Sequence, residues 1–293
     1  MSTLDSFISV YDKVDAVLML TGILRHTYGK PLVAEVLGDR KVAVISFPTL
    51  GAWPSKQRVH KILTSCINQL VPYGLPASAN QSVPRWGQWS EKSDSGHQTL
   101  HAHTFTGGPR LILGMTSAND PVRMASKLSR AMAAASATGA FGIFYNSIWQ
   151  MSHYLSTARL ISIGLIAIAV MVIWLITTNR LWDRPDRERL APVVLYYNLS
   201  TVLTLIVCVI ALYATLVAGI LVGGLIVIDP GFMSLTIQAP AAITSYLDIA
   251  WLSAAMGVVA GALGSSFDSN ADIKNLTHAQ RLRTRVYSVD ESE

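Results

Sequence analysis

The sequence predicts an α-helical polytopic membrane domain of about four transmembrane helices, preceded by a small cytoplasmic α/β domain. Half of the chain is apolar, since 51% of the 293 residues are hydrophobic. Only 14% are charged, whereas soluble domains average about 25%. The charges are also unevenly spread, because residues 1–130 hold 14 basic and 8 acidic side chains and residues 131–267 hold five of each. The first part therefore resembles a soluble domain and the second a lipid-embedded one.

The domain of residues 1–130 alternates strand and helix patterns. Strands are predicted in DAVLMLT, PLVAEVLG and KVAVISFPTLG, which are short β-branched runs closed by glycine, proline or charged residues. An amphipathic helix is predicted for 54–71, because its apolar residues recur at helical spacing behind Pro54. Residues 72–98 are rich in Pro, Ser, Gly and Gln and are predicted to form a mobile loop. A basic amphipathic helix then leads toward the membrane.

The N-terminal residues indicate that this domain stays in the cytoplasm. Their short apolar run is broken by Asp12, Lys13 and Asp15, unlike the uninterrupted core of a secretory signal peptide. Cysteine usage agrees, because Cys66 is predicted in a soluble helix and Cys208 in a membrane crossing. No disulfide framework is therefore expected.

Three later segments are long and apolar enough to cross a bilayer. The segment 159–179 is the clearest, because about 20 uncharged residues reach roughly 30 Å, the thickness of the hydrocarbon core. The uncharged run 190–228 is predicted to form one long helix with its membrane part at 194–220 and a stop at the sequence DPG. Two short spans joined by a turn are the alternative for this run. The third segment is 245–266.

The segment 131–152 is the ambiguous crossing, because it has no charged residue but several amide, hydroxyl and glycine positions. If it crosses, the arginine-rich loop after residue 179 returns to the side of the basic N-terminal domain, as the positive-inside rule favours. That loop holds Arg180, Arg184, Arg187 and Arg189. We therefore predict four crossings of the plasma membrane, with both termini in the cytoplasm and a basic tail at 268–293. A re-entrant, interfacial or soluble helix at 131–152 stays open as the alternative.

Three sets of residues are singled out within the membrane domain. Gly219, Gly223, Gly257 and Gly261 form two Gly-x-x-x-Gly patterns, which favour close helix packing. The intramembrane polar candidates are Asn146, Gln150, Asn198 and Asp248, because polar groups are costly to bury in lipid. For Asp248, a shallow exposed or capping position near the outer interface is favoured over a functional one. The tryptophans near span ends, Trp149, Trp174, Trp182 and Trp251, are interpreted as interface anchors.

No catalytic or cofactor-binding residues are predicted. The glycine pairs of TGGPR and TGAFG have neither the spacing nor the setting of a dinucleotide-binding G-x-G-x-x-G motif. His97, His101 and His103 are weak candidates for a metal site, since alternate strand positions place two imidazoles on one face. No Cys or carboxylate at ligand spacing completes the set. Polar residues at the end of a loop are therefore the favoured interpretation.

Several blocks together resemble a known family. The blocks are PLVAEV, VISFPTLGAW, HAHTFTGGPRLILGM, ATGAFGIFYNSIWQM, NRLWDRP, YNLSTVLTL, VIDPGF and IAWLSAAMGVVAGALGSSFD. They look like an uncharacterised family of actinobacterial multi-pass integral membrane proteins, and the resemblance covers nearly the whole chain. It implies a plasma-membrane protein with a cytoplasmic N-terminal domain, and no activity. Some relatives carry a methylenetetrahydrofolate dehydrogenase label, which these residues do not support. Relatives also have a longer N-terminal region, so the question whether the sheet of this chain lacks an initial strand stays open.

The function predicted from these observations is that of a membrane-anchored interaction or assembly factor. Its predicted partners are the lipid bilayer and either a second copy of the chain or another membrane protein. Nucleic acid is not a predicted partner, because the pI near 9.2 follows from the basic segments expected on the cytoplasmic side. The alternative is a small-molecule transporter or channel component acting as an oligomer, which requires a polar path through the helices. An enzyme is not favoured.

Overall fold

The computed structural model describes residues 16–22, 25–27, 30–52, 56–70, 87–92, 97–102, 104–184 and 191–265. The chain divides into two compact units. The first comprises Met1–Ala118 and Pro185–Tyr197, and the second comprises Asn119–Arg184 and Asn198–Glu293. The division falls before Asn119 instead of after residue 130, because Met124 and Leu128 already pack into the core of the helical unit. The predicted tail, 268–293, lies outside the described residues.

The first unit contains a mixed β-sheet. Its described strands are β1 (Val17–Thr21), β2 (Arg25–Thr27), β3 (Lys30–Leu37), β4 (Val42–Ser46), β5 (Gly87–Lys92) and β6 (His97–Ala102). The strand order is β1-β4-β3-β6-β5, and β2 pairs with the start of β3. Only the β1–β4 pair is parallel among the described strands, since the other pairs are antiparallel. The prediction of a small N-terminal α/β domain is therefore confirmed in its fold.

The strands β1, β3 and β4 confirm the three strands predicted from β-branched runs. All five residues of β4 are buried, as expected of a largely apolar strand in the interior of a sheet. The chain reverses between β3 and β4 through a short 3-10 turn, Gly38–Arg40. That turn ends at Lys41 with a φ of 51°.

The loop predicted for 72–98 is wrong where the structure describes it. Strand β5 and the start of β6 fall within this interval, while residues 71–86 and 93–96 lie outside the described residues. The sequences GQWSEK and HQTLHA contain few apolar residues, so their local pattern does not indicate strands. Their backbone groups are instead satisfied by neighbours, because β6 pairs with β5 on one side and β3 on the other.

The helix α1 (Lys56–Leu70) covers one face of the sheet and agrees with the predicted amphipathic helix. Its buried residues Ile62, Cys66 and Leu70 pack against apolar side chains of β3, β4 and β6. The helix α2 (Thr104–Ala118) follows β6. Leu111 and Met115 of α2 pack with Tyr196 and Tyr197, which belong to the same unit.

Cys66 gives this core a pH dependence with a definite sign. Burial raises the pKa of its thiol to about 12, from an ordinary value of 9.0. The folded state keeps a proton that the unfolded state releases above pH 9, so the free energy of unfolding should fall as pH rises from 9 to 12. The slope should approach about 1.4 kcal/mol per pH unit. Thermal unfolding of a Cys208→Ala protein at pH 8–11 measures it, and adding Cys66→Ala should flatten the dependence. An unchanged slope in the double variant would contradict this assignment.

The second unit is helical. Its described helices are α3 (Pro121–Lys127), α4 (Ser129–Phe144), α5 (Asn146–Tyr154), α6 (Thr157–Thr178), α7 (Ala191–Val227, from Asn198 onward), α8 (Pro230–Ile237) and α9 (Ile243–Ser265). Within the described residues, three stretches are long and apolar enough to cross a membrane, namely Thr157–Thr178, Val194–Val227 and Ile243–Leu263. These helices indicate a membrane protein, as the sequence predicts.

The uncharged run 190–228 forms one long helix, which confirms that prediction over the alternative of two short spans. Helix α7 contains 37 residues and is therefore roughly 55 Å long, well beyond the roughly 30 Å of a hydrocarbon core. It ends before Asp229, the predicted stop. The carboxylate of Asp229 then caps α8 by accepting a hydrogen bond from the backbone N–H of Phe232 at 2.9 Å.

The predicted crossing 131–152 is not one continuous helix. Helix α4 ends at Phe144, Tyr145 is extended with a φ of −101° and a ψ of 110°, and α5 begins at Asn146. The indole N–H of Trp149 donates to the carbonyl oxygen of Gly142 at 2.9 Å, which satisfies a group that the break leaves without a helical partner. The apolar part of α4, Ala131–Phe144, is only about 21 Å long. By itself it is shorter than a bilayer core.

Candidate functional site

The closest helix packing in the second unit joins α4 and α9. A Cβ atom on Gly257 would lie 2.5 Å from the carbonyl oxygen of Ala135, and one on Gly261 would lie 2.8 Å from that of Ala131. Both glycines of this Gly-x-x-x-Gly pattern therefore face the backbone of α4. The contacts run in opposite directions along the two helices, so α4 and α9 are antiparallel. This close approach is the geometry that the pattern predicts.

Glycines on α4 extend this interface toward the start of α9. The side chain of Ser253 occupies the space beside Gly142, and a Cβ atom on Gly139 would lie 2.7 Å from the Cδ1 atom of Ile220 on α7. Ser253 has no exposed surface. The small residues of the sequence AMAAASATGAFG thus allow α4 to approach two neighbours at once.

The second Gly-x-x-x-Gly pattern does not form a comparable interface. A Cβ atom on Gly223 would lie 3.0 Å from the Cδ1 atom of Ile143, which is a flexible side-chain end. A Cβ atom on Gly219 would have no heavy atom within 4 Å among the described residues. Gly257 and Gly261 therefore lie against a neighbouring helix backbone, whereas Gly219 does not do so among the described residues.

Three of the four polar candidates lie at the end of the unit formed by α5, α8 and the start of α9. The Gln150 amide donates to the carbonyl oxygen of Thr236 at 3.2 Å. Asp248 is partly buried and interacts electrostatically with His153. Asn146 is exposed at the start of α5. These polar groups border an apolar cluster of Trp149, Ile228, Met233, Ile237, Tyr246 and Ile249.

The fourth candidate, Asn198, lies at the opposite end and holds the chain after α6. Its Oδ1 atom accepts from the backbone N–H of Asp183 at 3.0 Å, and its amide donates to the Asp183 carbonyl oxygen at 2.9 Å. Sequence reasoning missed two neighbours in this region. Asn119 donates to the Thr204 hydroxyl at 3.0 Å, and Thr204 donates to the Ser200 carbonyl oxygen at 2.7 Å. Asn119 and Thr204 are 85 residues apart in the chain, so no local sequence pattern indicates this contact.

Along α7, the buried side chains between these two ends are apolar except for Tyr213. The buried residues of α7 between Thr204 and Ile220 are Leu205, Cys208, Val209, Leu212, Tyr213 and Leu216. The Tyr213 hydroxyl is used, since it donates to the carbonyl oxygen of Trp251 at 2.8 Å. The stretch of α7 from Thr204 to Ile220 is roughly 24 Å long. The four polar candidates do not line one path through the described helices.

Three of the four tryptophans interpreted as interface anchors, Trp149, Trp174 and Trp251, pack against the interior of the helical unit instead. Trp149 is buried in the cluster described above. The Trp251 indole N–H donates to the carbonyl oxygen of Leu160 at 2.8 Å, and its ring lies 5.0 Å from that of Tyr213. Position near a span end did not distinguish these rings from Trp182, which is exposed.

The histidine candidates lie in the first unit. His97 and His101 are on β6, and His103 lies outside the described residues. The Nε2 atom of His101 is 3.0 Å from the Thr99 hydroxyl. No group of three His, Cys, Asp or Glu side chains suited to a metal ion occurs among the residues that the structure describes.

The glycine pair of TGGPR lies within a helix. Gly107 and Gly108 are the fourth and fifth residues of α2, so they do not form the loop between a strand and a helix. The spacing also differs from a dinucleotide-binding motif. A Cβ atom on Gly108 would lie 3.1 Å from the Cε1 atom of Tyr196. An aromatic ring therefore occupies the space beside this glycine, where a dinucleotide site requires room for a pyrophosphate.

The comparisons with known proteins leave these two units to be interpreted from their own geometry. The resemblance to an actinobacterial membrane family stays a prediction. No protein-family model, no curated protein and no solved structure matches the chain.

Proposed function

We propose that this protein is a membrane-anchored interaction or assembly factor. The helical unit anchors the protein and has no polar path through its described residues, and the α/β unit contacts a partner. The observation that carries this proposal is the separation of the polar candidates into two ends by an apolar interior. A transporter requires a polar path across that interior, either within one copy or between copies. The tight backbone packing of α9 on α4 also favours helices that stay fixed relative to one another.

The proposal includes four crossings with both termini in the cytoplasm, the first formed by α4 together with α5. The contacts that α4 and α6 make along α9 support this arrangement. Ala131 at the start of α4 lies beside Gly261, and Gly142 near the end of α4 lies beside Ser253. Leu160 at the start of α6 then contacts Trp251. Helix α5 therefore turns the chain back near one end of the unit. The positive-inside rule supports the same arrangement, since it keeps the arginines after residue 179 on the side of the basic first unit.

The topology is tested by labelling single cysteines placed at two exposed positions. In a protein with Cys66→Ala and Cys208→Ala, we expect Ser156→Cys to react with a membrane-impermeant maleimide on intact cells. We expect Arg184→Cys to react only after permeabilisation, because the two positions flank α6. Labelling of Arg184→Cys from outside the cell would contradict four crossings.

The function is tested by comparing complex formation with solute flux. We expect the protein, solubilised gently from its native membrane, to migrate in a complex that is larger than its 31.7 kDa chain with bound detergent. A protein copurifying at constant stoichiometry should be retained after Asn146→Ala and Asp248→Asn. The transporter alternative predicts solute flux into vesicles containing the purified protein, and loss of that flux in the same double variant. Such a loss would overturn the proposed function.

A further inference from the structure

Two arginines of the first unit converge on one backbone turn. Strands β1 and β4 are parallel, and their last residues, Thr21 and Ser46, are paired. The chain leaves β4 through a 3-10 turn, Phe47–Leu50, and reaches Gly51 with a φ of 96°. Ligands of α/β proteins commonly bind beyond the carboxyl ends of parallel strands. The Gly51 turn lies at that edge of this sheet.

Arg58 of α1 and Arg110 of α2 reach this turn from different helices. The Nη1 atom of Arg58 donates to the carbonyl oxygen of Leu50 at 2.9 Å. The side chain of Arg110 crosses Gly51, since a Cβ atom there would lie 2.9 Å from the Arg110 Cγ atom. The same point is 3.7 Å from the Arg58 Nη1 atom. A Cβ atom on Gly51 would therefore crowd the Arg110 side chain, and the positive φ of Gly51 also disfavours other residues.

The two positive charges affect one another. Partial burial lowers the pKa of Arg110, and the positive charge of Arg58 lowers it further. Both effects mean that the surroundings disfavour a second cation at this position. An anion shared by the two guanidinium groups reverses this effect, because charge-assisted bonds to a doubly charged oxyanion are strong and can be bidentate.

We propose that Arg58 and Arg110, converging on the Gly51 turn, form a binding site for a phosphoryl group. Arg58 is oriented by its bond to Leu50, while Arg110 closes the site from α2. The phosphoryl group belongs either to a soluble phosphorylated metabolite or to an anionic lipid headgroup, which share this chemistry. The site is independent of the proposed role of the helical unit, since all of its residues lie in the α/β unit.

The proposal is tested with the full chain in phosphatidylcholine nanodiscs. Inorganic phosphate and glycerol 3-phosphate are titrated at constant ionic strength, with binding heat and the unfolding temperature as readouts. We expect saturable binding of both probes to the wild-type protein. Arg110→Gln should weaken it roughly tenfold or more, as expected for loss of a charge-assisted contact. Lys61→Gln removes an equal charge from an exposed position on α1 and should change the affinity by less than about twofold.

Two further arms separate folding and ligand source. Arg110→Lys keeps the charge but not the planar fork, and we expect intermediate affinity with an unfolding temperature close to that of wild type. Nanodiscs containing phosphatidic acid should abolish phosphate binding if the headgroup occupies the site, and should leave it unchanged if the ligand is soluble; each result supports the site. Absence of saturable binding in phosphatidylcholine nanodiscs, or equal losses for Arg110→Gln and Lys61→Gln, would overturn the proposal.

Discussion

Gly257→Ala is expected to lower the free energy of unfolding of the helical unit by roughly 1–3 kcal/mol, the cost typical of overpacking in a closely packed interior. The added Cβ atom would lie 2.5 Å from the carbonyl oxygen of Ala135. That oxygen belongs to the backbone of α4, so no side-chain rotation relieves the overlap. Helices α4 and α9 must instead move apart along the whole interface. The midpoint of thermal unfolding in lipid nanodiscs measures this effect.

The matched control is Gly219→Ala, which makes the same chemical change in the other Gly-x-x-x-Gly pattern. A methyl group added at Gly219 would have no described heavy atom within 4 Å, and alanine favours helix over glycine by up to about 1 kcal/mol. The control should therefore be neutral or stabilising. If both variants lost stability equally, the effect would belong to glycine in general, and the α4–α9 contact would not explain it.

Long or strongly periodic patterns explain which elements were predictable from the sequence. The three long apolar helices and α1 each carry their own signal over about 15 residues or more, and the first three strands are β-branched runs. Strands β5 and β6 carry almost no such signal. They are held in place by pairing, since β6 pairs with both β3 and β5. The break at Tyr145 is similar. A bond from Trp149 to Gly142 accompanies the break, and no proline marks it in the sequence.

The candidate sites show the same division between local and non-local information. The sequence motif identified Gly257 and Gly261, but the identical motif at Gly219 does not meet a neighbouring backbone in the described chain. A spacing of four residues places two glycines on one helix face, and it carries no information about what that face meets. Arg58 and Arg110 are even less accessible to sequence reasoning, since only the folding of α1 and α2 around one turn brings them together.

Asn198→Ala is expected to open the chain segment that follows α6. The Asn198 side chain satisfies both the N–H and the carbonyl oxygen of Asp183, and it is 4% exposed. Truncation leaves two partly buried backbone groups without these bonds, which should cost roughly 1–3 kcal/mol. The exposed Arg180 precedes Leu181 and lies three residues before Asp183. The variant should therefore be cleaved faster by trypsin after Arg180 and should unfold at lower temperature.

Asn146→Ala provides the matched control, because it removes the same amide from an exposed position on α5. Exposed substitutions usually change stability by less than about 0.5 kcal/mol, so its unfolding temperature and cleavage rate should match wild type. The two variants together distinguish Asn198, which bonds to the backbone of Asp183, from Asn146, which is exposed at the start of α5. If Asn198→Ala left cleavage after Arg180 unchanged, the bonds from Asn198 to Asp183 would not restrain this segment. If instead Asn146→Ala proved the more damaging change, the polar role would lie at the α5 end, and the assignment of Asn198 would be wrong.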